Sequence, residues 1–144
     1  MISIGNALDA IGLVAAATLF GSMVFFSCVM APLIFTQLEA ATAGRFVRAV
    51  FPWYYLLTGA TALVAAAALA VSRWPEAVLL ALVAFGSWLS RQRLMPRINH
   101  HRDAMLSGDR EAGRRFGRLH RLSVAINAGQ LLLGLVVLLR LGVS

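Results

Sequence analysis

Six residues in the last third of the chain recur at one-turn spacing. Phe116, His120, Ser123, Asn127, Gln130 and Gly134 are separated by 4, 3, 4, 3 and 4 positions. On a helix they share one face. An imidazole, a hydroxyl and two carboxamides in a row supply hydrogen-bond donors and acceptors. Such a stripe suits the lining of a cavity, ligand site or pathway. Its plainer use is bonding between helices, worth about 0.6 to 2 kcal/mol per bond in a membrane. Covalent chemistry is not indicated. The sequence has no recognisable nucleophile–base pair, phosphate-binding glycine loop or paired carboxylates.

The elements that must carry this stripe are apolar. Of the 144 residues, 60% are hydrophobic and 13% charged, where a soluble domain has about 25% charged. Charge-free runs extend over Ala10–Leu38, Ala49–Ser72, Ala77–Ser90 and Leu122–Leu139. About 20 apolar helical residues cross a hydrocarbon core. The expected fold is therefore all-α: an integral membrane four-helix bundle forming a single domain over residues 1–144. Its spans fall roughly at 8–37, 52–72, 75–96 and 115–141, with a basic loop at 97–114.

Nine of the thirteen arginines lie between Arg91 and Arg121. Basic loops stay on the cytoplasmic side, so the 97–114 loop is expected there. Parity places the loop with Arg45 and Arg48 on the same side, and both termini on the extracytoplasmic side. The chain has no lysine and its spans are rich in alanine. That composition suggests a bacterial protein and a multi-pass place in the inner (plasma) membrane. The net charge of +7 suits an anionic leaflet. It flanks spans without a nucleic-acid-binding motif, so membrane lipids are the expected partner and nucleic acid is not.

Arg114, Arg118 and Arg121 point almost opposite the polar stripe. Together with Arg45 and Arg48 they are expected to reach lipid headgroups by snorkelling, leaving His120, Ser123, Asn127 and Gln130 to face inward. The charge-free part of the third span is too short to cross alone, so Arg91 is expected either to lie in the bilayer's inner interface or to pair within the bundle, with an acidic side chain, Glu39 foremost, or an anionic ligand as its partner. Trp53, Tyr54 and Tyr55 read as interfacial aromatics. Thr58, Ala62, Ala66 and Ala70 form a small-residue ridge suited to close packing against the third span. Pro52 and Pro75 fit the first turn of a helix. Pro32 and Pro96 should bend or end theirs.

Metal and redox signals are sparse. His100, His101 and Met105 are the donors grouped in the basic connector, and their spacing is not that of a zinc site. Met23, Met30 and Cys28 on the first span suit core packing better than a soft-metal path. Cys28, the single cysteine, is expected to be a small buried hydrophobe.

Four segments together are similar to a known family: Ala31-Pro32-Leu33-Ile34-Phe35, Val50-Phe51-Pro52-Trp53-Tyr54-Tyr55, Leu94-Met95-Pro96-Arg97 with His101 and Met105 beyond, and Phe116 to Asn127. Their order and spacing resemble the transmembrane-protein-205-like family, also described as domain of unknown function 4149. The resemblance implies a four-helix membrane fold and a link to tolerance of platinum drugs or metals. By position it singles out Pro32, Phe51, Pro52, Pro96, His120, Ser123 and Asn127. More distantly, the fold resembles copper-resistance D-like proteins and four-helix haem-dependent oxidases. Those proteins carry a histidine early in the first span, where this chain has Asp9. No cofactor is favoured.

The expectation is a small non-enzymatic membrane protein, homo-oligomeric because four short helices enclose little volume. It would bind or pass a small solute or metal, with His120, Ser123 and Asn127 lining the interior and Arg91 at its cytoplasmic mouth. The alternatives are a haem-binding membrane oxidoreductase and an accessory subunit of a larger complex.

Overall fold

The computed structural model describes residues 4–143. Met1–Ser3 and Ser144, which the terminal assignment includes, lie outside the described residues. Every regular element among the described residues is helical. The first rod is α1 (Ile4–Phe25), the π-turn π1 (Phe26–Met30) and α2 (Ala31–Gln37). The second is α3 (Ala40–Leu69). The third joins α4 (Trp74–Leu89), the π-turn π2 (Ser90–Leu94) and α5 (Met95–Leu106). The fourth is α6 (Arg110–Gly142). Among the described residues, three helical stretches are long and apolar enough to cross a membrane: Ile4–Gln37, Ala40–Leu69 and Arg110–Gly142.

The prolines explain the interruptions. A proline ring inside a helix clashes with the carbonyl four residues earlier and donates no hydrogen bond to it. For Pro32 and Pro96 those carbonyls belong to Cys28 and Gln92, which sit within π1 and π2. Each rod widens there. The Ala31 N–H bonds the Phe26 carbonyl, and the Met95 N–H bonds the Ser90 carbonyl, five positions back. The helices thus pass through both prolines. Pro75 lies in the first turn of α4, as the sequence suggests. Pro52 does not begin a helix: α3 starts at Ala40 and carries Pro52 inside it.

The connections are shorter than the charge pattern suggests. The basic stretch 97–114 is not a loop. α5 continues to Leu106 and α6 begins at Arg110, leaving a three-residue turn. Charge marks what lies outside a hydrocarbon core, whereas helix needs only propensity and caps. Here Gly108 takes a left-handed φ of 103°, open to a residue without Cβ. The Asp109 carboxylate accepts from the N–H groups of Glu111 and Ala112 at 2.8 and 3.0 Å, capping α6. Likewise only Leu38 and Glu39 separate α2 from α3.

α3 packs against α1 and α4, and α6 against α1, α4 and α5. The core between them contains Ala16, Leu19, Met23, Ala62, Leu69, Leu80, Val83 and Val137. Of the small-residue ridge, Thr58, Ala62 and Ala66 are buried, while Ala70 lies beyond the helix end and is exposed. Gly12 lets the Leu69 side chain lie against α1: a Cβ there would come within 2.5 Å of the Leu69 Cγ. Gly12 meets Leu69 near one end of α1, and Phe26 meets Tyr54 beyond the other. The first two rods therefore run antiparallel. At the Gly12 end, Ser72 bonds Asp9, and Arg140 pairs with the buried carboxylate of Glu76 at 2.9 Å. At the other end Arg48 pairs with Asp103 at 2.8 Å. The outer faces present leucine, valine and phenylalanine, with Trp53, Trp74 and Trp88 exposed among them.

Candidate functional site

A cavity of about 320 Å³ opens between all four rods, toward the Arg48 end. Its walls are largely apolar: Ile34 and Phe35 from α2, Val47 and Phe51 from α3, Met95 and Ile98 from α5, and Val124 from α6. Its polar lining consists of Ser27, Arg48, Tyr54, Tyr55, Asn99, His120, Ser123 and Asn127. Within π1, Phe26 packs on Phe51 and Tyr54 of α3 and Ser27 bonds Asn127 of α6, while Cys28 faces outward. Cys28 is exposed, not buried as its apolar neighbourhood suggested.

The polar groups form two tiers. In the upper tier the Tyr54 hydroxyl donates to the Asn127 Oδ1 at 2.6 Å, and the Asn127 Nδ2 donates to the Ser27 Oγ at 3.1 Å. Tyr55 and Ser123 share a hydrogen bond at 3.2 Å. Three rods are joined by this tier. In the lower tier the Gln130 Nε2 donates to the Val83 carbonyl at 3.0 Å and to the Ser87 Oγ at 3.1 Å. Ser87 shares a further bond with Thr58 at 3.2 Å. Gly86 makes room for the amide: a Cβ there would lie 2.9 Å from the Gln130 Nε2. Beyond Gln130 the interior is filled by the apolar core, so the polar column ends there.

The sequence-derived residues fall into separate places. His120, Ser123 and Asn127 line the cavity together. His120 stands at its exposed edge with its ring stacked on Phe116, centroids 5.9 Å apart. Gln130 lies beneath the cavity in the second tier. Arg91 is not on the cavity wall. Its Nε donates to the main-chain carbonyl of Pro52 at 3.2 Å, so the partner is backbone and not Glu39. Arg45, Arg114, Arg118 and Arg121 are exposed. Arg48 is exposed too, yet it lines the cavity and is held by Asp103 and by the Asn99 carbonyl.

His100 and His101 are adjacent on α5 with ring centroids 5.4 Å apart. Met105 packs toward Gly113. No group of three or more His, Cys, Asp or Glu able to hold a metal is assembled among the described residues. His120 is the single histidine lining the cavity among the described residues.

Arg48, which its sequence context assigned to lipid headgroups, also lines the cavity, as do Tyr54 and Tyr55, which read as interfacial aromatics, and Ser27, which the sequence did not single out. The aromatic and small character of Tyr54, Tyr55 and Ser27 fits an interface or a core equally well. The available signal was Thr58, which shares a face of α3 with Tyr54 and extends that polar face.

A protein-family model described as "Domain of unknown function (DUF4149)" matches residues 14–107. The chain belongs to that family. The match contains the second and third rods and the first from Val14 onward, and with them Ser27, Arg48, Tyr54, Tyr55 and Asn99. It ends before α6 and the polar stripe. Neither curated proteins nor solved structures give a match.

At the start of α6, Asp109 caps the helix that carries the stripe. The N–H bond from Ala112 first, then that from Glu111, together with the nearby Arg115 guanidinium, hold its carboxyl below the usual range.

Proposed function

We propose that this DUF4149 chain crosses the membrane four times and binds a small amphipathic molecule in the cavity between its helices. The fourth crossing is supplied by the third rod. α4 has 16 residues, about 24 Å at 1.5 Å per residue, and π2 extends it while Arg91 is satisfied by a backbone carbonyl. The basic end faces the cytoplasm by the positive-inside rule, which leaves both termini outside. A bacterial inner membrane and a transmembrane-protein-205-like relationship remain part of this reading, as does self-association.

One observation carries the proposal: the cavity is shared by all four rods and combines apolar walls with a hydrogen-bonding floor. Small-molecule sites have this character, mostly apolar with a few placed polar groups. The cavity also sits at a defined depth. Ser123 is two residues beyond Arg121 and Asn127 six, so they lie about 3 and 9 Å further along the helix. That is the region where lipid headgroups give way to acyl chains. An amphipathic molecule partitions to this depth.

Binding is favoured over passage, because the polar column stops at Gln130 against Leu80, Val83 and Val137. The lining hydroxyls of Tyr54, Tyr55, Ser123 and Ser27 bond one another or Asn127 and none bonds His120 among the described residues, and no carboxylate lines the cavity, which favours a binding role over an enzymatic one. A part in tolerance of toxic compounds fits such a role.

The test uses protein in nanodiscs. A panel of small amphiphiles is titrated against the wild type and Ala31→Phe, which fills the cavity from the α2 wall. The wild type is expected to bind selected amphiphiles saturably and the variant to lose them. Equal binding by both would overturn the proposal. Flux of the same compounds into proteoliposomes above the protein-free rate would overturn the preference for binding.

A further inference from the structure

We propose that the cavity takes a single-chain anionic amphiphile, whose headgroup is bound by Arg48 in place of Asp103. This rests on the binding function proposed above and names its ligand class.

The first observation is charge. The cavity wall carries one guanidinium and one imidazole, Arg48 and His120, and no carboxylate among the described residues. Arg45 lies one turn from Arg48. The cavity mouth therefore attracts anions.

The second observation is how Arg48 is used. Its Nη2 alone makes all its bonds: to both carboxylate oxygens of Asp103 at 2.8 Å and to the Asn99 carbonyl at 3.2 Å. The Nε and Nη1 groups have no hydrogen-bond partner among the described residues. A guanidinium presents five donors in a fork that fits an oxyanion through two nitrogens. The Asp103 contact uses only one of them. An incoming carboxylate or phosphate monoester would engage the fork better.

The third observation is that the pair is replaceable. The Arg48 and Asp103 side chains are 42% and 60% exposed, so the ion pair is weak. Asp103 can turn to water when a ligand arrives. The carboxylate thus acts as a latch that neutralises Arg48 while the cavity is empty.

The volume sets the tail. About 320 Å³ is near the lower end for ligand sites, roughly 300 to 1,000 Å³, and accommodates one short chain against Ile34, Phe35 and Val124.

The experiment titrates laurate, monolaurin and inorganic phosphate into protein held in zwitterionic nanodiscs, with empty nanodiscs correcting for partition. Laurate is expected to bind about tenfold or more tightly than monolaurin, the scale of a charge-assisted hydrogen bond. Arg48→Gln should erase that difference. Asp103→Asn should tighten laurate by about two- to fivefold, the scale of an exposed ion pair. Both substitutions are at exposed positions, and thermal unfolding of each variant checks that the fold is kept. Equal affinity for laurate and monolaurin, unchanged by Arg48→Gln but abolished by Ala31→Phe, would overturn the anionic assignment and leave the cavity function standing. Saturable binding of phosphate as tight as laurate would overturn the amphiphile assignment in favour of a free anion. No binding of either lipid would overturn the ligand class and, with a wider panel equally silent, the binding function itself.

Discussion

Asn127 ties three rods together through two hydrogen bonds, to Tyr54 at 2.6 Å and Ser27 at 3.1 Å. Asn127→Ala removes both. Hydrogen bonds between transmembrane helices average about 0.6 kcal/mol with a maximum near 1.7, so the loss comes to roughly 1.2 kcal/mol and at most about 3.4. The cavity term adds little, because Asn127 already borders open space. The decisive quantity is a coupling energy. In a double-mutant cycle, Tyr54→Phe and Asn127→Ala should show about 0.6 to 1.7 kcal/mol of interaction. Tyr55→Phe with Asn127→Ala should be additive within about 0.5 kcal/mol, because Tyr55 bonds Ser123 instead. Equilibrium unfolding in bicelles, by denaturing detergent or steric trapping, measures each corner. Additivity in the Tyr54–Asn127 cycle would refute the bonding scheme and with it the joined floor of the cavity.

Three further outcomes are expected. Glu76→Gln weakens the pair with Arg140; Glu76 is buried but Arg140 is half exposed, so the loss, read by thermal unfolding, is about 1 to 2 kcal/mol and not the 3 to 5 of a fully buried pair. Gly12→Ala drives a Cβ into the Leu69 side chain, and overpacking of about 1 to 3 kcal/mol outweighs the helix gain of about 1; a stabilised variant in the same assay would count against the close contact. Asp109→Ala should speed hydrogen exchange at the Glu111 and Ala112 amides, and Asp109→Asn should not. Because the Asp109 carboxyl is held below its ordinary value of 3.8, its stabilisation is present above that pH and disappears as pH falls through the lowered value; protection in the wild type that persists into stronger acid would contradict the cap.

Much of the fold is legible in the chain because lipid imposes a simple rule. Runs such as Leu122–Leu139 have no use in water, and every backbone group within lipid must bond within a helix. The phase of α6 is legible for the same reason: its uncharged polar groups and its arginines cannot share an environment, and their spacing separates them. What the sequence does not show follows from chemistry that several environments accept. Tyrosine suits an interface or a bundle interior, so Tyr54 and Tyr55 read as a belt. Helix continues through charged segments wherever caps permit, so 97–106 and 110–114 read as loop. Arg91 invited a carboxylate, yet a carbonyl beside Pro52 satisfies it. The pairing of Arg48 with Asp103 depends on α5 continuing as helix, which charge alone does not reveal.

The inward phase of α6 underlies every role assigned to the cavity, and spin-label accessibility along that helix tests it most directly. In a Cys28→Ser background, single cysteines from Leu122 to Val136 are labelled in lipid bilayers and their relaxation by dissolved oxygen is measured. Labels at Ser123, Asn127 and Gln130 should be shielded from oxygen, and labels at Leu122, Leu132 and Val136 strongly relaxed. The opposite phase, with Asn127 and Gln130 relaxed and Leu132 and Val136 shielded, would contradict the cavity and every function drawn from it.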